Sequence, residues 1–340
     1  MTKIEPGMLA IVTGGGAGMG KELCMQLVQL GCKVATCDVN EENLKKTADY
    51  CATVKASEKI FIYKCDVSME KDCVAFKEAT LAHFDCSHVN LLFNNAGLSG
   101  GGSFVASPRD DWEACFNICW GGVYNMTRAF MPHLLNAKTG HIINTSSLNG
   151  LWACIGASQP HTAYSTAKFA VRGFTESLIV DLRLNAPHIG VSLVCPGHIG
   201  TDIVRSSQEK AYQLHGNEAL QRTKKAFLKD PLLPDATKKF LEDASPEQVQ
   251  QIIEILADQF KNTGMSASDA ATYILNAVEA NEWRVLPGKD AEQIDLEVRR
   301  RPEEIYSKEF ILKAMELFNR EENSNLEEQE RRLNISKSKL

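Results

Sequence analysis

Short apolar runs alternate with longer mixed runs along the first two hundred residues. Met8 to Thr13 is too short and too uniformly apolar for a half-exposed helix, and it predicts a buried strand. Lys21 to Leu30 then predicts a helix, Lys33 to Asp38 a second strand, and Lys59 to Cys65 a third. Met69 to Phe84 has helical spacing, Val89 to Phe93 reads as a fourth strand, and Val191 to Cys195 as a sixth. Strands and helices alternating in this way imply an α/β fold: a parallel sheet wound on both faces, with ligands bound at the C-terminal ends of its strands. From Ile203 to about Gly264 the chain is rich in Lys, Gln, Glu and Leu and predicts several short helices, broken near Pro231 and Pro234. A helix from Ser266 to Ala280 leads to Trp283–Gly288, which resembles a last core strand. Pro302 to Arg332 carries helical spacing with dense mixed charge, as a solvated helix or an inter-subunit arm would. The expected organisation is one core over residues 1–289, with a helical lid at 202–265, followed by a charged helical extension over 290–340.

Composition changes this picture little but removes several classes of function. The chain has 340 residues, 44% hydrophobic and 24% charged, with a formal net charge of -6. That balance and the lack of a long Lys/Arg block argue against an electrostatic nucleic-acid binder. No apolar run approaches the length of a membrane span, and the N-terminus enters its first strand without a signal-peptide core, so synthesis in the cytosol is expected. Eleven cysteines without a Cys-x-x-Cys pair point to reduced core thiols. His83, His88, His133 and His141 show no metal-ligand spacing, and no metal is expected.

The first strand feeds Gly14-Gly-Gly-Ala-Gly-Met-Gly20. Glycines there let the backbone take positive φ and approach a diphosphate, while the amides opening the next helix supply donors and a favourable dipole. The second strand ends on Asp38, placed to accept hydrogen bonds from both adenosine ribose hydroxyls and to repel a 2′-phosphate. No arginine follows it, since the next residues are Val39-Asn40-Glu41. NAD is favoured over NADP.

Tyr164-Ser-Thr-Ala-Lys168 puts a phenol and an ammonium on one helix face. A neighbouring cation favours the phenolate and should draw the tyrosine pKa toward the working range. Ser147 ends an apolar run, where its hydroxyl can polarise the substrate oxygen.

Thr13-Gly-x-x-x-Gly18-x-Gly20, Asp66, Asn94-Asn-Ala-Gly97, Asn117, Ser147, Tyr164-x-x-x-Lys168 and Pro196-Gly197 together resemble the motif set of the classical short-chain dehydrogenases/reductases, in order and spacing over roughly the first 200 residues. The resemblance implies a Rossmann fold with Tyr164 as general acid/base, Ser147 orienting the substrate oxygen, Lys168 binding the nicotinamide ribose, and Asn117 holding a relay water. Ser146 is left as a backbone-bonding neighbour of Ser147. It also implies cofactor contacts from Gly14, Gly16, Gly18, Met19 and Gly20 in the loop, and from Asp38, Asp66 and Val67 at the adenosine end. Asn94, Ala96 and Gly97 follow the fourth strand, and Pro196, Gly197, Ile199 and Thr201 complete the nicotinamide end.

The chain departs from the family in about four extra residues between Ser147 and Tyr164. That segment borders substrate in relatives, so Asn149, Trp152 and His161 are candidate substrate contacts, with His198 after the Pro-Gly turn. The implied activity is NAD-linked interconversion of a secondary alcohol and a ketone. A long lid suggests a hydrophobic substrate such as an isoprenoid, a sterol or a lipid-derived alcohol. The alternative is a 3-hydroxyacyl-thioester dehydrogenase of peroxisomal fatty-acid oxidation, with Lys224, Lys225 and Lys229 as a patch for coenzyme A phosphates. A non-catalytic NAD-binding regulatory protein is disfavoured, because the chemical residues are present. The family also implies a homodimer or homotetramer. Ser338-Lys339-Leu340 is the tripeptide that a peroxisomal import receptor reads at a free C-terminus, so in a eukaryote the expected location is the peroxisome, and otherwise the cytoplasm.

Overall fold

In the computed structural model, residues 2–53, 59–154, 160–229 and 235–314 are described. The buried runs form the expected strands: β1 (Leu9–Thr13), β2 (Lys33–Asp38), β3 (Ile60–Lys64), β4 (Leu91–Asn94), β5 (Gly140–Thr145) and β6 (Ile189–Val194). Every residue of β1, β4 and β5 is buried, which is why these strands lack the in–out alternation of a half-exposed strand; their polar members Thr13, Asn94, His141, Asn144 and Thr145 are buried as well. The sheet is a parallel Rossmann-type sheet of seven strands in the order β3-β2-β1-β4-β5-β6-β9. Its last member is the two-residue β9 (Arg284–Val285).

The connecting helices lie on both faces. α1 (Gly18–Gln29) packs with β1, β2 and the later α11 (Ala267–Glu279) in one apolar layer. α2 (Glu41–Ala52) starts at Asn40, whose side chain accepts from Asn43 N at 3.0 Å. On the other face α3 (Glu70–Phe84), α5 (Gly122–Leu135) and α6 (Thr162–Asn185) bury Phe76, Phe130 and Leu178 against the sheet. α4 (Arg109–Phe116) runs into α5 through a π-turn at Asn117–Gly121. The strand order reverses between β1 and β4, so the crevice at their C-terminal ends is the natural ligand site.

After β6 the chain forms β7 (Ile199–Gly200), then α7 (Ile203–His215), α8 (Asn217–Lys229), α9 (Asp235–Asp243) and α10 (Pro246–Asn262), and returns to β8 (Met265–Ser266), which pairs parallel with β7. α10 opens with a capping box between Ser245 and Gln248. These helices have their own small core of Leu220, Leu241, Ala244, Val249 and Ile253. The predicted break near Pro231 and Pro234 lies outside the described residues.

Of the stretch 302–332 predicted as a solvated helix or inter-subunit arm, only residues 302–314 are described, and part of them is packed on the core. α12 (Lys289–Arg300) buries Ala291 and Ile294, and helical residues 308–314 bury Phe310 and Ala314 against Leu148, Leu151 and Trp152. The charge on α12 is partly internal: Asp295, 2% exposed as a side chain, takes Arg284 from β9 and Arg299 at 2.9 Å. Residues 315–340, including Ser338-Lys339-Leu340, lie outside the described residues.

Candidate active site

The loop after β1 is built for close approach. Gly14 N and Gly15 N donate to Cys37 O at 2.8 and 3.1 Å, turning the chain back over β2. Gly14 has φ +69°, and a Cβ there would stand 2.9 Å from Ala96 Cα, while a side chain at Gly20 would run into Gly14 O. The loop thus has no room for side chains where it meets the segment after β4. Thr13 Oγ1 ties the two together by accepting from Asn95 N and Ala96 N, both at 2.9 Å. Gly18, φ +51°, faces the Thr201 methyl, and Met19 turns into the α1 core.

Asp38 closes the far side of this cradle. Its carboxylate accepts from Gly16 N and Asn40 N, each at 3.0 Å. Burial raises its pKa above the ordinary carboxylate value against the lowering effect of the Asn40, Gly16 and Val39 amides. Beside it a cavity of about 330 Å³ is lined by Val39, Tyr63, Lys64, Asp66, Asp72 and Ala75. Asp66 accepts from Ser68 N and Ser68 Oγ at 3.0 and 2.6 Å, and Val67 O takes Asn125 Nδ2 at 3.0 Å. At the other end Pro196 O accepts from Leu148 N at 3.0 Å, Gly197 N donates to Pro287 O at 2.9 Å, and Ile199 is buried in β7.

Asn94, expected at the cofactor, is held by the sheet. Its buried side chain donates from Nδ2 to Thr127 Oγ1 at 2.9 Å and to Asn144 Oδ1 at 2.8 Å, so it braces β4 against α5 and β5 instead. Gly97, three residues on, is exposed at the mouth of the crevice.

Tyr164, Lys168 and Ser147 converge. Ser147 neighbours the Tyr164 phenol, and its Oγ accepts from Asn149 N at 3.1 Å, which starts a 3₁₀ turn at Leu148–Gly150. Lys168 is 3% exposed, donates from Nζ to Thr145 O at 2.9 Å, and lies 5.5 Å from the Tyr164 ring centroid. Ser146 has the part expected of a neighbour, its Oγ donating to Lys168 O at 2.7 Å. The phenol does not sit below its ordinary pKa as the Tyr-Lys spacing suggests. Burial, followed by the Cys119 thiol, pushes it well up, and the neighbouring Ser147 hydroxyl offsets this only in part.

The structure does not bring Asn117 into this group. It is exposed at the start of the π-turn, and Cys119, two residues later and fully buried, packs beside Tyr164 instead. Trp152 is not a pocket wall either. It is 1% exposed, donates from Nε1 to Ile305 O at 2.9 Å, and packs edge-on against Phe310 at 5.5 Å. Asn149 is also buried, bonding from Nδ2 to Ser165 Oγ at 3.2 Å. His198 is held by structure, its ring stacked on Phe260 and Nε2 2.9 Å from Phe260 O. His161 alone of the four candidate substrate residues keeps an unused group. Its Nδ1 is buried one turn before Tyr164 with no hydrogen-bond partner among the described residues, and burial lowers its pKa, favouring the neutral ring.

Sequence reasoning missed Asp290. It is 5% exposed and receives His198 N at 2.6 Å, and a side chain at Gly197 would strike its carboxylate. Only an acid at the first turn of α12 marked it, and such residues are ordinary. Among the described residues no cluster of His, Cys, Asp or Glu is arranged to hold a metal, and no helix is long and apolar enough to cross a membrane.

The family model for short chain dehydrogenase matches residues 8–211, which contain β1 to β6 and the Tyr164 group. The chain belongs to the short-chain dehydrogenase family. It is 37% identical over 201 residues to the oxidoreductase SadH of Mycobacterium tuberculosis, covering 59% of this chain and 70% of that protein. To the acetoacetyl-CoA reductase of Shinella zoogloeoides it is 33% identical over 202 residues, covering 59% and 78%. Among solved structures, a short-chain dehydrogenase/reductase from Burkholderia phymatum in complex with NAD superposes with a TM-score of 0.69 at 28% identity, covering 90% of this chain and 96% of that one. This dehydrogenase is thus an oxidoreductase of a family acting on alcohol and ketone groups, and its likeness to the Burkholderia protein extends well past the matched 204-residue stretch into the helices after β7.

Proposed function

We propose that this dehydrogenase interconverts a secondary alcohol and a ketone with NAD, using Tyr164 as the acid–base group, Ser147 to orient the reacting oxygen and Lys168 to steady the pair. The observation that carries the reading is the convergence of Ser147 and Lys168 on the Tyr164 phenol, with the Lys168 ammonium fixed 5.5 Å from its ring. The side-chain-free cradle of Gly14, Gly18 and Gly20 fits a diphosphate, and Asp38 fits a free ribose diol rather than a 2′-phosphate. Bound NAD supplies the hydride acceptor and, when oxidised, a positive charge. In alcohol oxidation Tyr164 takes the hydroxyl proton while Ser147 holds the oxygen, so the half-buried phenol must first lose its own proton.

Helices α7 to α10 act as the lid. Ser207 Oγ receives Ser99 N at 3.0 Å, and Asp111 of α4 takes His215 at 2.8 Å and Arg222 at 3.3 Å, so the lid is tied to the crevice wall by polar contacts. Leu98, Trp112, Phe116 and Trp120 form an apolar cluster with Tyr164, which supports a hydrophobic alcohol, and the unpaired His161 Nδ1 would meet its polar group. The likeness to an acetoacetyl-CoA reductase supports a second reading, an acyl-thioester substrate. Against it, Lys224 already donates to Glu242 O and Ala244 O at 2.9 and 3.0 Å, leaving Lys225 and Lys229 exposed for a phosphate. The proposal extends to a homo-oligomer and, in a eukaryote, to peroxisomal import through Ser338-Lys339-Leu340. A reporter carrying this tail with and without the tripeptide tests the import.

The deciding assay follows reduced-nicotinamide absorbance with NAD and with NADP, against cyclic, isoprenoid and acyl-thioester alcohols, with Tyr164→Phe beside the wild type. NAD-dependent turnover that disappears in the variant supports the mechanism and identifies the substrate class. Turnover that persists in Tyr164→Phe removes that residue from its role.

A further inference from the structure

The π-turn at Asn117–Gly121 places a cysteine beside the acid–base pair. A π-turn holds one residue more than an α-turn and re-aims the side chains within it. Here it leaves Asn117 exposed and sends Cys119 inward, 0% exposed, into a cluster with Cys115, Ala163, Ala167 and Tyr164. Cys119 Sγ lies 3.1 Å from Leu98 O, on the segment between the Gly97 mouth and the lid contact at Ser99. A Cβ built on Gly97 would stand 3.5 Å from Lys168 Nζ and 3.7 Å from Cys119 Sγ, so the ammonium and the sulfur flank the same point.

The groups around this sulfur are few. From α6 come Tyr164 and Lys168, from α4 the Cys115 thiol, and from the loop after β4 the Leu98 carbonyl. Tyr164 also faces Cys195, past β6, and Ser147. A side-chain amide in this position would stay neutral at every working pH. A thiol has a second state: protonated, it donates to Leu98 O; ionised, it accepts from Cys115 and faces the Lys168 ammonium. The Cys115 hydrogen bond, helped by Lys168, draws the Cys119 thiol below its ordinary value despite burial. A thiolate there opposes a phenolate on Tyr164, as two like charges must.

We propose that Cys119, not Asn117, is the positioning residue of the π-turn, its thiol acting through Tyr164 and Lys168 to govern when the phenol gives up its proton. This rests on Tyr164 being the acid–base residue, so it is tested by one measurement that needs turnover and one that does not. The first is the pH profile of kcat/KM for alcohol oxidation in wild type, Cys119→Ser, Cys119→Ala and Asn117→Ala. Serine and alanine both remove the ionisable sulfur, so both should move the limb set by Tyr164 to lower pH, on the order of one unit. The second is the phenolate absorbance titration with NAD present, where wild type minus Tyr164→Phe, and Cys119→Ser minus its own Tyr164→Phe double variant, each isolate Tyr164. Its midpoint should fall in the same direction and by a similar amount. Superimposable profiles and midpoints in all variants would overturn the proposal, as would a shift produced by Asn117→Ala in place of the two Cys119 variants. A midpoint that falls in Cys119→Ser while no alcohol is turned over would uphold the coupling and refute the enzymatic reading alone.

Discussion

Acidification should weaken this fold through one buried histidine. His141 lies in β5 with 0% exposure, its ring over Gly190 of β6, where a side chain would collide with it. Nε2 is 2.8 Å from Ser192 Oγ, and that hydroxyl donates to Glu282 O at 2.6 Å, so Nε2 must be the donor and Nδ1 the acceptor toward Thr2 Oγ1 at 3.2 Å. A proton added at Nδ1 would enter a fully buried site, and burial pushes the pKa from 6.5 down to about 4. The unfolded chain therefore binds this proton before the native state does. Stability present above pH 6.5 is lost as pH falls toward 4: about 2 kcal/mol by pH 5 and about 3 kcal/mol by pH 4, with little further loss below. Urea denaturation at pH 7 and pH 5, wild type against His141→Gln, isolates the effect, because the other histidines and carboxylates titrate in both proteins. The variant should be the less stable at pH 7, and the gap should close by about 2 kcal/mol at pH 5. Parallel losses in the two proteins would refute the reasoning.

Replacing Asp295 by Ala should cost about 3 kcal/mol in chemical denaturation, because it strands the mostly buried Arg284 guanidinium between β9 and α12. A cost within the range of an exposed ion pair would show that water reaches Arg284. Asp38→Ala should weaken NAD binding about tenfold or more by calorimetry while leaving NADP binding unchanged or tighter, since the carboxylate both accepts from a ribose diol and repels a phosphate. Equal losses for the two nucleotides would place Asp38 outside the ribose site. Trp152→Phe should lose about 1 kcal/mol with the hydrogen bond to Ile305 O. Phe310→Ala should shift Trp152 emission to the red by opening its shield, and an unchanged spectrum would mean that other residues seal the indole.

The core strands were legible because burial on both faces removes the in–out alternation of a half-exposed strand. Leu9–Thr13 is buried at all five residues, so its apolar run and its place in the sheet are one fact. Tyr164 and Lys168 were legible because helix geometry alone puts residues four apart on one face. Trp152 was not, because its shield comes from residues 305 and 310, more than 150 positions away, and a tryptophan in a loop beside a catalytic serine looks the same whether it faces substrate or core. Asn117 misled for a local reason: its identity matched, but the π-turn turned its side chain to solvent, and nothing in the letters Asn-Ile-Cys-Trp-Gly marks a five-residue turn. The direction of the Tyr164 shift was missed because spacing reveals a cation and hides the depth of burial that outweighs it.

The π-turn also works as a gear between two parts of the molecule. α4 engages the lid through Asp111, and α5 is fixed to the sheet through Thr127 and Phe130, so the angle between these faces depends on how many residues separate them. Removing one residue from 117–121 would let the two helices run on as one and rotate everything before the join by about 100°. The lid anchor, the Trp112–Phe116 wall and Cys115 would all swing away from the crevice together. A single-codon deletion here would therefore uncouple lid, wall and acid–base centre while leaving Tyr164, Lys168 and Ser147 in the protein.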